Sequence, residues 1–365
     1  MRVNLFLVIR LLVIGFFALS ALWIVSQFLG KTIPVYAYDS DLGMWVIKQD
    51  SAIMHSLEGR ATSYYGRHGL NRTLWTRRAS FSTNIILWGD SFVEALNVAD
   101  EAKPDAVLTR QIQLLSGQTN LVAWGVGESG LSCAGQIVKL KKYEKVLGKP
   151  LVHIVLTTSA ENDFGPIVSD SRAKLVTDPT FRIVPQPDNS FRAGGRGREL
   201  LSRFRFNFVR DIINACKSQH VSGLIFFKWP KRGSQPPATV LDNVNRSKRL
   251  DESANFLLKR LREETDAPIL VVYCPRVPQV RKGIVDCTDH GEEDALLLKE
   301  AAKRNGIDFL DLTPVLVRAY TQKGVLCMGF QNGQLGYGHL NERGIEIIFE
   351  AVSNYLKAEY VVHAN

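Results

Sequence analysis

The chain has 365 residues, 45% hydrophobic and 22% charged, which excludes a disordered or low-complexity protein. Its net charge of +9 raises the question of nucleic acid. The basic residues are dispersed, apart from clusters at Arg192–Arg210 and Lys228–Arg232, and no zinc-finger spacing or other nucleic-acid motif accompanies them, so nucleic acid is not an expected partner. A basic surface facing an anionic membrane or an acidic polysaccharide accounts for the charge equally well.

The first element in chain order is Leu11–Gly30, twenty residues without a charge. A helix of that length spans a hydrocarbon core of roughly 30 Å. Arg2 and Arg10 precede it, which predicts a cytoplasmic N-terminus and an extracytoplasmic body on a single-pass anchor. A cleaved signal peptide ending at Val35-Tyr36-Ala37 is the competing reading, although the apolar run is longer than a signal core. Residues 31–79 are aromatic and mixed, without a clear period, and read as a juxtamembrane region packing on the body.

From residue 80 a rhythm begins. Strands are predicted at Asn84–Trp88, Asn120–Trp124, Leu151–Leu156, Ile269–Tyr273 and Asp308–Leu310. Helices are predicted at Asp105–Leu115, Gly135–Leu147, Glu292–Arg304 and Glu342–Leu356. Strands alternating with helices predict an α/β domain over 80–358, built on a mostly parallel sheet covered on both faces. The stretch from about 165 to 266 breaks the rhythm and reads as an insertion: a turn-rich basic loop, helices near 199–217 and 240–264, and a strand near 223–227. Residues 359–365 form a tail. None of the five cysteines lies in a CxxC pair, so a structural zinc site is not expected; Cys274 and Cys287 are candidates for a bridge in an extracytoplasmic domain.

Open α/β sheets bind ligands beyond the carboxyl ends of their strands. The first strand ends in Gly89-Asp90-Ser91 and the second runs into "WGVGESGLSCAGQ" (124–136). The third runs into "TTSAENDF" (157–164), and "GYGHLNERG" (336–344) precedes the last helix. Each stretch alone has an ordinary reading as a turn or a cap. In this order and at these element ends they resemble the four blocks of the SGNH hydrolases, the GDSL-type esterase and lipase superfamily. The resemblance covers roughly residues 80–358.

The resemblance implies a three-layer, flavodoxin-like doubly wound sheet and a serine hydrolase acting on ester bonds without metal or cofactor. It implies Ser91 as nucleophile and His339 as base. It implies an oxyanion hole made by the backbone N–H groups of Ser91 and Gly130 (with Gly127 as rival) and the Asn162 amide. The residue types suit the chemistry: a serine hydroxyl needs a base in hydrogen-bond reach, and a tetrahedral intermediate needs fixed donors.

One departure stands out. The family's last block carries an Asp two or three residues before the His, where this chain has Gly336 and Tyr337. A Ser–His dyad, an orienting backbone carbonyl or distant carboxylate, and a weakened or lost activity all remain open, and Asp311 reads as a strand-end structural residue. The leading expectation is an anchored, extracytoplasmic esterase removing O-acyl groups, with cell-envelope or exopolysaccharide glycans as substrates. A polysaccharide O-acetyltransferase using the same serine and a non-catalytic anchored binding protein are the alternatives.

Overall fold

The structure is a computed structural model. It describes residues 34–56, 58–165, 246–281 and 283–361, scattered positions between 6 and 21, and the backbone of 175–177, 183–185 and 240–245. Most of the expected anchor, and the features expected at 199–217 and 223–227, lie outside the described residues. Among the described residues no helix is long and apolar enough to cross a membrane.

Five parallel strands form the central sheet: β1 (Thr83–Gly89), β2 (Leu121–Gly127), β3 (Val152–Thr157), β4 (Ile269–Tyr273) and β5 (Asp308–Asp311). Their spatial order is β2-β1-β3-β4-β5, and every neighbouring pair is parallel. The chain therefore runs outward from β1 to β2 and returns to β3 on the other side of β1. That reversal is a topological switch point, and it opens a crevice beyond the carboxyl ends of β1 and β3.

The strand sequences explain the layering. β1 is buried on both faces, so it reads as an unbroken apolar run. Ile85 and Leu87 join one core, with Val107, Leu108 and Ile112 of α1 (Pro104–Ser116) and Ile345, Ile348 and Phe349 of α2 (Glu342–Leu356). Ile86 and Trp88 point the other way. They meet Ile137 and Leu140 of α3 (Cys133–Leu147), Leu257 and Leu261 of α4 (Val240–Glu263), and Leu298 of α5 (Glu292–Arg304). Truncating one such side chain to Ala costs on the order of 2–5 kcal/mol, a large share of a domain's net stability.

Helix α6 (Thr313–Lys323) was not expected from the sequence; Pro314 sits in its first turn, where proline's missing N–H costs nothing. Asp311 accepts from Thr313 N (2.8 Å) and Thr313 Oγ1 (2.6 Å), a strand-end structural role. Cys274 and Cys287 are unbridged, so the suggested disulfide does not form; Cys274 is buried at the end of β4.

Residues 34–79 carry regular structure that their mixed sequence does not announce. They form two antiparallel hairpins, Tyr36–Asp39 with Met44–Ile47 and Ala52–His55 with Ala61–Tyr64. Their short strands hide the period-2 signal that a longer strand would show. Leu42, Val46, Leu70 and Leu74 enter the core shared with β1 and α3. The turn of the second hairpin, between His55 and Ala61, carries Glu58.

Candidate active site

β1 delivers the first residue. After Gly89 the chain turns into a single helical turn, Ser91–Glu94, with Asp90 as its cap: the Asp90 carboxylate accepts from Phe92 N (2.9 Å). Phe92 and Val93 are buried, which holds the turn against the sheet and leaves Ser91 partly exposed at its start. Gly127 at the end of β2 lies directly beneath it. A Cβ there would come within 2.1 Å of Glu94 N, so only glycine admits this approach. Gly127 is thus a packing glycine, which leaves Gly130 as the candidate donor.

His339 arrives on the loop before α2. Asn341 fixes that loop: its carbonyl oxygen accepts from Gly344 N (2.9 Å), and its amide donates to Leu326 O (2.8 Å) and Gly329 O (3.1 Å). The His339 ring lies 5.1 Å from the Phe92 ring, centroid to centroid. Its Nε2 is 2.9 Å from Ser91 Oγ, so the expected nucleophile and base are in hydrogen-bond contact.

The other face of the imidazole meets a group the sequence reading did not single out. Glu58 Oε2 lies 2.7 Å from His339 Nδ1, and Glu58 Oε1 accepts from the His339 backbone N–H at 2.5 Å. One carboxylate therefore grips both the ring and the main chain of the same histidine. Burial alone would raise the Glu58 carboxyl, but the hydrogen bonds and charge of His339 outweigh it and hold the group below the ordinary glutamate value. A carboxylate on Nδ1 keeps the proton there and leaves Nε2 free to accept the serine proton.

The acid and base loops are tied to each other. Asn332, seven residues before His339, accepts from Gly59 N (2.9 Å) and donates to Ser56 O (3.1 Å) and Gly59 O (3.0 Å), on both sides of Glu58. Gly338 completes the fit. Its φ is +88°, and a Cβ would fall 2.0 Å from Glu58 Oε1. Gly338→Ala is therefore expected to push Glu58 off the imidazole and to lower ester turnover by at least about tenfold, since small displacements of a catalytic group are costly. Steady-state kinetics beside a melting curve checks this; unchanged turnover would mean that the contact is dispensable.

The two remaining expected residues flank Ser91 on the loops leaving β2 and β3, the strands on either side of β1. Gly130 has φ +84°. Its loop is braced on both sides. Glu94, buried beside Ser91, accepts from Ser129 N (3.0 Å) and the Ser129 hydroxyl, and Lys139 is paired with Glu128. Asn162 lies in the short helix Ala160–Phe164, capped by Ser159, and its side chain is exposed. Its amide donates to Asp163 Oδ1 (3.0 Å). Neither Gly130 nor Asn162 is hydrogen-bonded to Ser91 or His339.

Asp163 is buried and accepts from Thr157 Oγ1 (2.5 Å) as well as from Asn162. Burial, reinforced by the nearby Asp90 charge, raises its carboxyl to about 7. The native state therefore holds this proton above the pH at which the unfolded chain, near the ordinary 3.8, releases it. Stability from this group is full below the unfolded value and falls as pH rises from there to about 7. Asp163→Asn is expected to flatten the melting-temperature profile across that window. A variant as pH-dependent as the parent would show that another group governs it.

Three other histidines have structural partners: His68 with Asp39 (2.7 Å), His153 with Glu144 (2.8 Å) and Trp88 Nε1 (3.0 Å), and His290 with Asp286 (3.0 Å). Among the described residues the grouping with metal-like donor spacing is Asp39, Asp41 and His68. There His68 is engaged by Asp39 and Asp41 by Arg67, so ion pairing between the first hairpin and the turn at Arg67–Gly69 accounts for it.

No family model and no curated protein matches the chain. Among solved structures it is similar to LAE5, an alpha/beta hydrolase enzyme from the metagenome of Lake Arreo, Spain, at 12% identity over 78% of this chain and 97% of that one, with a TM-score of 0.38. It is similar to a member of the lipolytic G-D-S-L family from Veillonella parvula at 14% identity over 76% of this chain and 100% of that one (TM-score 0.36). It is also similar to a two-domain esterase, CEX, active on acetylated mannans, at 10% identity over 79% of this chain and 52% of that one (TM-score 0.40). At these identities and scores the likeness assigns neither activity nor substrate.

Proposed function

We propose that the chain is a serine ester hydrolase of the SGNH type, working through Ser91, His339 and Glu58. The observation that carries this reading is the continuous hydrogen-bond relay from Glu58 through His339 to Ser91, with contacts of 2.7 and 2.9 Å. Ser91 Oγ attacks the acyl carbonyl while His339 Nε2 takes its proton, and Glu58 stabilises the imidazolium that forms. The oxyanion is received by the N–H groups of Ser91 and Gly130 and by the Asn162 amide, whose attachment to Asp163 leaves a second N–H for the substrate. His339 then protonates the departing alkoxide, and water, deprotonated by the same imidazole, releases the acid from Ser91. The missing Asp was what favoured a non-catalytic scaffold; a carboxylate on Nδ1 removes that support.

Hydrolysis of 4-nitrophenyl acetate and of acetylated glycans tests the activity. Turnover lost in Ser91→Ala is expected, and an inert wild-type protein would contradict the proposal. Asn162→Ala should cost on the order of 10²–10³ in kcat, the usual loss for one oxyanion donor. A loss below threefold would remove Asn162 from the hole.

We further propose that residues 11–30 anchor the enzyme, with the catalytic unit extracytoplasmic and acting on O-acetyl groups of envelope or secreted glycans. The uncharged run behind Arg2 and Arg10 supports this, as does the basic balance of the chain. Cleavage after Ala37 would cut the Tyr36–Asp39 strand and remove its pairings Tyr36↔Ile47 and Ala37↔Val46, which favours an uncleaved anchor. A reporter fused after Asn365 should be active only outside the cytoplasm; cytoplasmic activity would overturn the placement.

A further inference from the structure

Arg276 stands at the same end of the sheet as the triad, three residues beyond β4. Its backbone is fixed: Cys274 N donates to Thr157 O at the end of β3 (2.8 Å), Val277 N donates to Pro275 O (2.9 Å), and Val277 is buried. Its side chain is exposed, yet placed. The guanidinium carbon lies 5.3 Å from the centroid of Phe92, the residue after the nucleophile, whose ring packs in turn on His339. The guanidinium is thus one aromatic ring away from the catalytic imidazole.

Among the described residues Arg276 makes no hydrogen bond and no ion pair. Other described arginines are committed to carboxylates, as Arg304 at the end of α5 is to Asp251 and Arg246 within α4 is to Glu161 and Asp294. A guanidinium presents five donors in a planar fork suited to carboxylate or phosphate oxygens. The segment beyond it, Gln279–Arg281, is tied to the His339 loop: Gln334 Nε2 donates to Val280 O (3.2 Å) and Val280 N to Gly336 O (3.3 Å). The segment that carries Arg276 is thus hydrogen-bonded to the loop that holds the base.

We infer that Arg276 is a specificity residue, whose guanidinium binds an anionic group, a carboxylate or a phosphate, carried by the ester substrate a few bonds from the scissile carbonyl. The inference rests on the ester-hydrolase reading and narrows it to acidic esters. The anion can sit on the acyl chain or on the alcohol, the recognition chemistry being the same. The competing role for Arg276 is to offset the buried carboxyls of Asp90 and Asp163, both of which feel its charge.

Two matched pairs separate these roles. Mono-4-nitrophenyl adipate against 4-nitrophenyl hexanoate places the anion on the acyl side, and 4-acetoxybenzoate against methyl 4-acetoxybenzoate places it on the alcohol side. In the full-length protein, kcat/KM is expected to favour the anionic member of one pair, mainly through KM. Arg276→Gln should lower that preference by about tenfold or more, the usual worth of a charge-assisted contact, while neutral esters change less than threefold. Arg276→Lys should recover part of the preference.

A parallel fall on anionic and neutral esters in Arg276→Gln would assign the residue to the buried carboxyls and overturn the inference. So would a wild-type enzyme that turns over neutral esters and prefers neither anionic one. If no ester is cleaved and Ser91 resists a fluorophosphonate, the hydrolase reading itself fails and this inference with it.

Discussion

Glu58→Gln is expected to lower kcat on acetyl esters by about 10³–10⁴, with KM little changed. That is the scale seen when the acid of a serine triad is replaced by its amide. The physical reason lies in the two-point grip. Glu58 accepts from both the His339 backbone N–H and Nδ1, so both of its oxygens are acceptors. An amide has one oxygen. If that oxygen stays on the backbone N–H, the NH₂ group faces Nδ1 and favours the tautomer with the proton on Nε2. A protonated Nε2 cannot take the Ser91 proton. Glu58→Asp keeps the charge but shortens the reach, and should fall between the two. Single-turnover acylation rates beside a melting curve check this. A Glu58→Gln enzyme within tenfold of wild type would show that the histidine is held some other way.

Ser91→Ala and His339→Ala should each lower ester cleavage by about 10⁶, and the double variant should be little worse than either alone. Groups acting as one unit give non-additive losses, because the first removal already disables the second. Glu58→Gln added to His339→Ala should likewise cost almost nothing more. A double variant that loses the product of the single effects would mean that Ser91 and His339 act independently, in conflict with their 2.9 Å contact. Residual hydrolysis in every variant would come from oxyanion binding and is measured against the uncatalysed rate.

The strand-helix rhythm was readable because β1 and β4 carry continuous apolar runs, Ile85–Trp88 and Ile269–Tyr273, and α2, α3 and α5 have helical spacing; Ile269–Tyr273, Glu292–Arg304 and Glu342–Leu356 begin and end where the pattern does. Ser91 and His339 were readable because each follows or precedes an element end in a recognisable local string. Glu58 was not. It lies in a four-residue-strand hairpin with no long periodicity, 281 residues from its histidine. A triad is defined by geometry and not by sequence position, so the distant carboxylate that the sequence left open could not be placed from the residues around His339.

The loop geometry also explains why no carboxylate stands in the usual place. Gly336 has φ +72° and a Cβ there would meet Val280 Cγ2 at 2.5 Å, while Tyr337 points outward and is more than half exposed. Neither position is shaped to hold an acid against Nδ1, and Glu58 already occupies that side of the ring. A local trace of this exchange is Gly338, whose missing side chain is the space the distant carboxylate fills.

Labelling with a fluorophosphonate, read by intact mass and peptide mapping, tests the triad most directly, because it needs no knowledge of the natural substrate. The wild-type protein should take up one adduct, on Ser91. Ser91→Ala should take up none, and Glu58→Gln should react at least about a hundredfold more slowly. A wild-type protein that remains unlabelled, or a Glu58→Gln protein labelled at the wild-type rate, would contradict the assignment of Ser91, His339 and Glu58 as one catalytic unit.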